Sequence, residues 1–370
     1  MRKHYLVGMS GGVDSAVAAY LLKKQGHKVT AIFIKSWEDD DQNDYCASRE
    51  DFRAAIKCAD SIGIEIHHIN FAQEYRQKVF TKFLDELTKA RTPNPDILCN
   101  LEIKFKALQK HALLLGCDLI ATGHYLNIKK NCEVRIFNAK DKIKDQSYFL
   151  YRLSQKQLFS SEFPLGKYTK TQIREIAHQA KIPSFNRKDS MGICFIGKRR
   201  FSEFLQNYLP KKTGDIINEN GEIIGKHDGL AFYTIGQRQG LGIGGIKKLA
   251  NPTNSKQMHQ PWYLAKKDID SNSLIAVQGK NHPWLWQKQV IAKNLHWLGS
   301  EIPKVGEEVL GKIRYRQEYN SGKIKKITTK QFIVDFDQPQ WAVTSGQSLV
   351  IYRQINSKLI QCLGGGIIEN

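Results

Sequence analysis

The chain has 370 residues, 41% of them apolar, which suits two or three domains with a real core. Its net charge of +20 points to nucleic acid or another polyanion as partner. No run reaches the length of a membrane span. Its seven cysteines, with no C-x-x-C pair, argue against a secreted disulfide framework, a zinc ribbon, a C-x-x-C redox centre and an iron–sulfur relative.

In chain order, HYLVG (4–8) reads as a strand. It runs into MSGGVDSAVAAYLLKKQG (9–26), a glycine-rich turn and a helix apolar along Ala16, Ala19, Tyr20 and Leu22. The start carries no cleavable signal pattern, so cytoplasm is the expected compartment. Strands are expected at 28–37, 64–71 and 118–125, and helices at 48–63, 74–90 and 102–116; Ser48 and Asp51 have capping-box spacing. Alternation of this kind implies an α/β, doubly wound parallel sheet. Its ligands bind beyond the carboxyl ends of the strands, where Ser10–Ser15, Ile34–Trp37 and Gly123–His124 fall. From 126 to 205 the pattern is shorter helices and loops. After about 206, recurring turn signals and short alternating runs such as LAFYTI (230–235) and WYLAKK (262–267) read as a small β-rich module. From about 276 the runs suggest a closed six-strand-like barrel. The expected domains are therefore 1–205, with a basic insert at about 140–205, then 206–275 and 276–370. Residues 140–212 hold 16 Lys/Arg against 6 Asp/Glu, half of the excess charge in about a fifth of the chain.

Three stretches carry chemistry. In SGGVDS (10–15), glycines allow close backbone approach, helix-start N–H groups favour an anion, and the hydroxyls of Ser10 and Ser15 add donors. A phosphate or pyrophosphate cradle is the functional reading, and a ligand-free βα turn the plain one. The loop fits neither the kinase-type P-loop nor the dinucleotide fingerprint. In TPNPDILCN (92–100), Pro93 and Pro95 stop a helix and stiffen a loop, and Asp96 and Cys99 share a face if a helix begins there. The plain alternative is an Asp N-cap and a buried cysteine. In NRKDSMGICFIGKRR (186–200), cations around Cys194 favour a reactive thiolate. A structural cysteine beside a solvated charge run is the alternative.

SGGVDS resembles the loop of the PP-loop ATP pyrophosphatases. Over essentially the whole chain, GMSGGVDS (8–15), FIKSW (33–37), TPNPDILCN (92–100), ATGHY (121–125), KDQSYFLYRL (144–153), KDSMGICFIG (188–197), HDGLAFYTIGQRQGLGIGG (227–245), RYRQ (314–317) and SGQSLVIY (345–352) resemble the bacterial tRNA-specific 2-thiouridylases. Ser345, where relatives often have Pro, and Ile34, where they often have Met, are departures that put little chemistry in doubt. The resemblance implies ATP-dependent 2-thiolation of the wobble uridine of tRNA. ATP with Mg²⁺ adenylates O2, AMP and pyrophosphate are released, and sulfur moves from a cysteine persulfide to C2. It implies nucleotide binding by Gly8, Met9, Ser10, Gly11, Gly12, Val13, Asp14, Ser15, Ile34 and Gly123. Cys194 is implied as persulfide carrier, Cys99 as the second catalytic thiol that forms a disulfide with it, and Asp96 as general acid/base. Asn94, Pro95 and Asp96 would meet the flipped-out base. Lys144, Asp145, Gln146, Arg314, Tyr315 and Gln347, with His124 beside them, would contact the rest of the tRNA. A sulfur-relay protein and a reductant are the implied protein partners. The alternatives are an amide-forming PP-loop synthetase and a catalytically silent tRNA-binding protein.

Overall fold

The computed structural model describes residues 1–38, 47–188, 201–243 and 260–369. Strands β1 (His4–Gly8), β2 (Lys28–Lys35), β3 (Glu65–Asn70) and β4 (Leu119–Ala121) alternate with helices α1 (Val13–Lys24), α2 (Ala47–Ile62), α3 (Ala72–Tyr75), α4 (Thr81–Thr88), α5 (Pro95–Cys99) and α6 (Leu108–Leu114). Two π-helical stretches, Arg76–Phe80 and Asn100–Ala107, join α3 to α4 and α5 to α6. The first long helix ends at Thr88, with Ala90 in the left-handed region at φ +57°, and the second starts at Pro95, where a missing N–H costs nothing.

Further on come β5 (Asn127–Lys130), β6 (Val134–Phe137), α7 (Ser147–Leu150), α8 (Gln155–Phe159), β7 (Ser161–Glu162), α9 (Lys170–Gln179) and α10 (Phe201–Leu205). The parallel sheet has the order β3-β2-β1-β4-β7. The chain leaves β1 in one direction and returns on its other side at β4, so the switch crevice opens beside the carboxyl end of β1. Side chains of β1 alternate between two cores. Tyr5 and Val7 pack with α1, α2 and α9, whereas Leu6 packs with Ile97, Phe105 and Leu108.

The central module is the sheet β10-β11-β8-β9, from β8 (Gly214–Ile217), β9 (Ile223–His227), β10 (Trp262–Asp268) and β11 (Ser273–Gln278). The LAFYTI run is not a strand: Leu230–Phe232 forms a single 3₁₀ turn. The barrel is β12 (Trp286–Trp297), β13 (Glu308–Lys312), β14 (Asn320–Ile327), β15 (Gln331–Trp341), β16 (Ser348–Gln354) and β17 (Ile360–Ile368), closed by the β12–β17 pairing. The 126–205 stretch departs from expectation. Its hairpin β5–β6 extends the barrel sheet, with Cys362 opposite Ile136. Val350, Tyr352 and Cys362 of the barrel then share one core with Leu6 and Ile32. At about 2 kcal/mol for each large apolar side chain, this shared core is a strong joint between barrel and sheet.

Candidate active site

The Ser10–Ser15 loop turns on Gly11, at φ +77°. A Cβ there would meet the backbone oxygen of Asp51 and lie 2.8 Å from Arg187 Nη1, so only glycine fits. Gly12 starts α1 with no side-chain cap on the first-turn N–H groups. Ser15 Oγ closes the turn, accepting from Ser10 N at 3.1 Å and donating to Gly12 O at 3.1 Å. Met9 N donates to Ile32 O at 2.8 Å, the last rung before β2 runs on alone to Ile34 on this side. Gly123 presses on the loop from β4, where a Cβ would stand 2.7 Å from Ser15 N.

Two cations reach the loop from far along the chain. Lys170 Nζ lies 2.8 Å from both carboxylate oxygens of Asp14, and Tyr125 Oη donates to Asp14 Oδ1 at 2.6 Å. Arg187 donates to Gly11 O at 3.1 Å and pairs with Asp51. Asp51 is thus an ion-pair partner, and Ser48 lies inside the first turn of a helix that begins at Ala47. Part of the basic 140–212 strip therefore serves the loop. Lys170 and Arg187 stand 156 and 176 residues from their partners, and no local signal in the sequence marks them.

The second centre is α5. Asn94 Oδ1 accepts from Asp96 N at 3.1 Å, capping the helix that Pro95 opens. Pro95, Ile97 and Cys99 are buried. Cys99 sits in a cluster with Phe71, Phe80 and Ile103, against which Ile34 and Trp37 pack, at the carboxyl ends of β2 and β3. Burial raises the Asp96 carboxyl above its ordinary value, and nearby Lys104 pulls it partly back. His124 Nδ1 lies 2.8 Å from Thr122 Oγ1, and burial, with Lys104 adding, holds its pKa well below the usual histidine value. Lys104 is a residue that sequence reading passed over, although it lies two helical turns beyond Asp96. Asn100 Oδ1 is buried with no hydrogen-bond partner among the described residues, while its Nδ2 donates to Phe149 O at 3.3 Å. Cys194, with Lys198, Arg199 and Arg200, lies outside the described residues.

The segment 144–146 connects to the loop. Gln146 N donates to Tyr125 O at 2.8 Å, and Tyr125 N donates to Gln146 Oε1 at 3.0 Å. Asp141 Oδ1 accepts from Lys144 N at 3.2 Å and Asp141 Oδ2 from Lys170 N at 2.9 Å. Both paths end on Asp14. The Asp145 side chain is turned inward. It is 2% exposed, and its carboxylate accepts from Ala139 N, Ser147 N, Ser147 Oγ and Tyr319 Oη. A carboxylate so enclosed shapes the segment from within. Tyr315 stacks near Phe149 with centroids 4.4 Å apart, donates to Lys144 O at 3.5 Å, and has its phenol pushed up to about 12 by burial. Arg314 donates to Ala342 O and Ile235 O and lies 5.4 Å from the Trp341 ring centroid. Gln347 Nε2 donates to Thr92 O at 2.7 Å, tying the barrel to the segment before α5. Ser345 touches the same place, since its carbonyl accepts from Thr92 N at 2.9 Å.

A parallel sheet of this order, with a Ser-Gly-Gly-Val-Asp-Ser loop at its switch point, defines the PP-loop class of the HUP domains. Comparison with known proteins agrees. Residues 3–198 match the family described as tRNA methyl transferase HUP domain, 202–278 its PRC-barrel domain, and 287–368 an aminomethyltransferase beta-barrel domain. The tRNA-specific 2-thiouridylase MnmA of Delftia acidovorans is 50% identical over 372 residues, covering 100% of this chain and 98% of that protein. That of Methylobacillus flagellatus is 50% identical over 371 residues, covering 100% and 99%. Among solved structures, a 4-thiouridine synthetase–RNA complex with bound ATP has 15% identity and a TM-score of 0.32, over 55% of this chain and 49% of that one, too loose a likeness to carry an argument. The chain belongs to the tRNA-specific 2-thiouridylase family and is a tRNA sulfurtransferase. No helix among the described residues is long and apolar enough to cross a membrane.

Proposed function

We propose that the chain adenylates O2 of the wobble uridine with ATP and then replaces that oxygen with sulfur. What supports the reading is that Lys170 and Arg187 flank the Ser10–Ser15 loop at the end of β1, while Cys99 of the α5 turn sits in the cluster against which Ile34 and Trp37 pack at the end of β2. Gly8 to Ser15 would cradle the phosphates, with Ile34 and Gly123 flanking the nucleoside. Mg²⁺ would neutralise phosphate charge when bound, and Asp14 would be the carboxylate at the loop able to hold it. Lys170, which faces Asp14, would follow the polyphosphate when it enters. Adenylation turns O2 into part of a good leaving group.

Sulfur arrives as a persulfide on Cys194, loaded by a sulfur-relay protein. Its outer sulfur attacks C2 and AMP leaves with the former O2. Cys99 Sγ then attacks the inner sulfur of Cys194. The persulfide S–S bond breaks, its electron pair goes to the sulfur now on C2, and a Cys99–Cys194 disulfide remains for a reductant of the thiol class. Asp96, with its carboxyl raised by burial, suits proton transfer at these steps. The base must leave the anticodon stack to reach the turn. Asn94 and Pro95 would meet it beside neutral His124. Lys144, Gln146, Arg314, Tyr315 and Gln347 surround that approach.

The test is mass analysis of tRNA nucleosides after incubation with ATP, Mg²⁺ and a persulfide donor, with pyrophosphate measured in parallel. Thiouridine formation together with tRNA-dependent pyrophosphate release is expected. Pyrophosphate without a thionucleoside would favour an amide-forming relative, and tRNA binding without either product a silent binder.

A further inference from the structure

The residues just before Pro93 are held by parts of the chain remote in sequence. Arg91 Nη1 lies 2.9 Å from Glu369 Oε2, Arg91 Nε lies 2.9 Å from Glu86 Oε2, and Arg91 Nη2 donates to Ile368 O at 3.4 Å. Thr92 is gripped on both backbone groups, its N–H by Ser345 O at 2.9 Å and its carbonyl by Gln347 Nε2 at 2.7 Å. Gly346 packs so tightly here that a Cβ on it would stand 2.9 Å from Thr92 N, at φ +92°. From the central module, Lys267 Nζ donates to Ala90 O at 2.9 Å. Three successive residues are thus fixed by two other parts of the molecule. Of the three residues between Thr92 and Asp96, Pro93 and Pro95 have ring-locked φ. A displacement at Thr92 therefore passes on to Asp96 and Cys99 instead of being absorbed.

We propose that residues 90–92 form a strap through which the barrel and central module set the position of the Asp96–Cys99 turn, with Arg91 and Glu369 as its positioning pair. The inference deepens the reading of Asp96 and Cys99 given above and rests on it for its catalytic consequence. The 345–347 segment that grips Thr92 also carries Gln347, so tRNA seated there bears on the strap directly. The two ends of the strap differ. The barrel end is ionic and backbone-mediated, whereas the central-module end is a single lysine whose pKa burial lowers to about 7.

Alkylation of the full chain by iodoacetamide, without ATP or tRNA, followed by peptide mass mapping, tests the strap apart from catalysis. Cys58, Cys117 and Cys362 are buried and serve as controls. In Arg91→Ala and Glu369→Ala, local loosening should raise labelling of Cys99 roughly fivefold with the controls unchanged. The double variant should label no faster than the faster single, since the two share one interaction. Thiolation kcat should fall by about tenfold, as expected for a misplaced reacting group, with KM for tRNA unchanged. Wild-type labelling of Cys99 in both variants overturns the proposal, as does a raised KM with kcat intact. If all four cysteines label faster, Lys267→Met decides, because it releases Ala90 without leaving a buried charge. A rise at Cys99 alone then supports the strap and no rise overturns it. A wild-type chain that fails to thiolate tRNA would sink the functional reading, while the labelling result would still judge the strap.

Discussion

The Ser10–Ser15 loop and the Asp96–Cys99 turn are held in place by different means. The loop sits between β1 and α1, and its turn closes on itself through Ser10, Gly12 and Ser15. What comes from afar is charge, namely Lys170 and Arg187. The turn is capped locally by Asn94, but its approach is anchored by Glu369, Ser345, Gln347 and Lys267. A site for a rigid anion can be built from neighbouring backbone. If the turn receives a base carried on a large RNA, as proposed, these ties would couple it to the elements that seat that RNA.

The comparison breaks most sharply at Cys99. Cys99→Ser should abolish thiouridine formation in a single turnover while tRNA-dependent AMP formation and persulfide loading of Cys194 persist; retained thiolation would remove the turn from the sulfur step. Asp14→Ala should lower pyrophosphate release about 100-fold or more, the scale of losing one preorganised electrostatic partner, with tRNA affinity within about twofold of wild type. A filter-binding titration beside the pyrophosphate assay checks it. Lys170→Met should have a smaller effect, about tenfold on the same rate, felt mainly as a higher KM for ATP. A tRNA affinity loss in its place would move Lys170 from the loop to the RNA surface.

The smallest effect is on stability. The Asp96 carboxyl is raised in the fold, so the folded chain holds its proton to higher pH than the unfolded chain does. Wild type therefore loses stability as pH rises from the unfolded pKa through the folded one. Asp96→Asn, which does not titrate, should raise Tm by about 2 °C at pH 7, and the difference should vanish below about pH 4. Melting curves at the two pH values decide it; a lower Tm at pH 7 would mean that the ionised carboxylate is held by a favourable partner.

Much was legible locally. The β1 strand, its glycine turn, the α1 helix, the strand–helix alternation and the six barrel strands follow from short-range pattern, since side-chain period and turn chemistry act within a few residues. The sharing of one helical turn by Asp96 and Cys99 was legible only as a condition, since the next helix was expected from 102; it begins at Pro95, whose missing N–H costs nothing there. The hairpin Asn127–Phe137 was not legible: its strands are four residues each and become strands by pairing with β17, more than 200 residues away. That Tyr319 and Ser147 enclose Asp145 was not legible either. Lys170, Arg187 and Arg91 carry no pattern of their own for these roles, because what they do depends on partners that only the folded chain brings within hydrogen-bond reach. Residue type and spacing determined the family to which this chain belongs. Long-range packing decided which charges face the Ser10–Ser15 loop and what holds the cysteine turn still, because contacts between distant segments leave no periodic trace in a sequence.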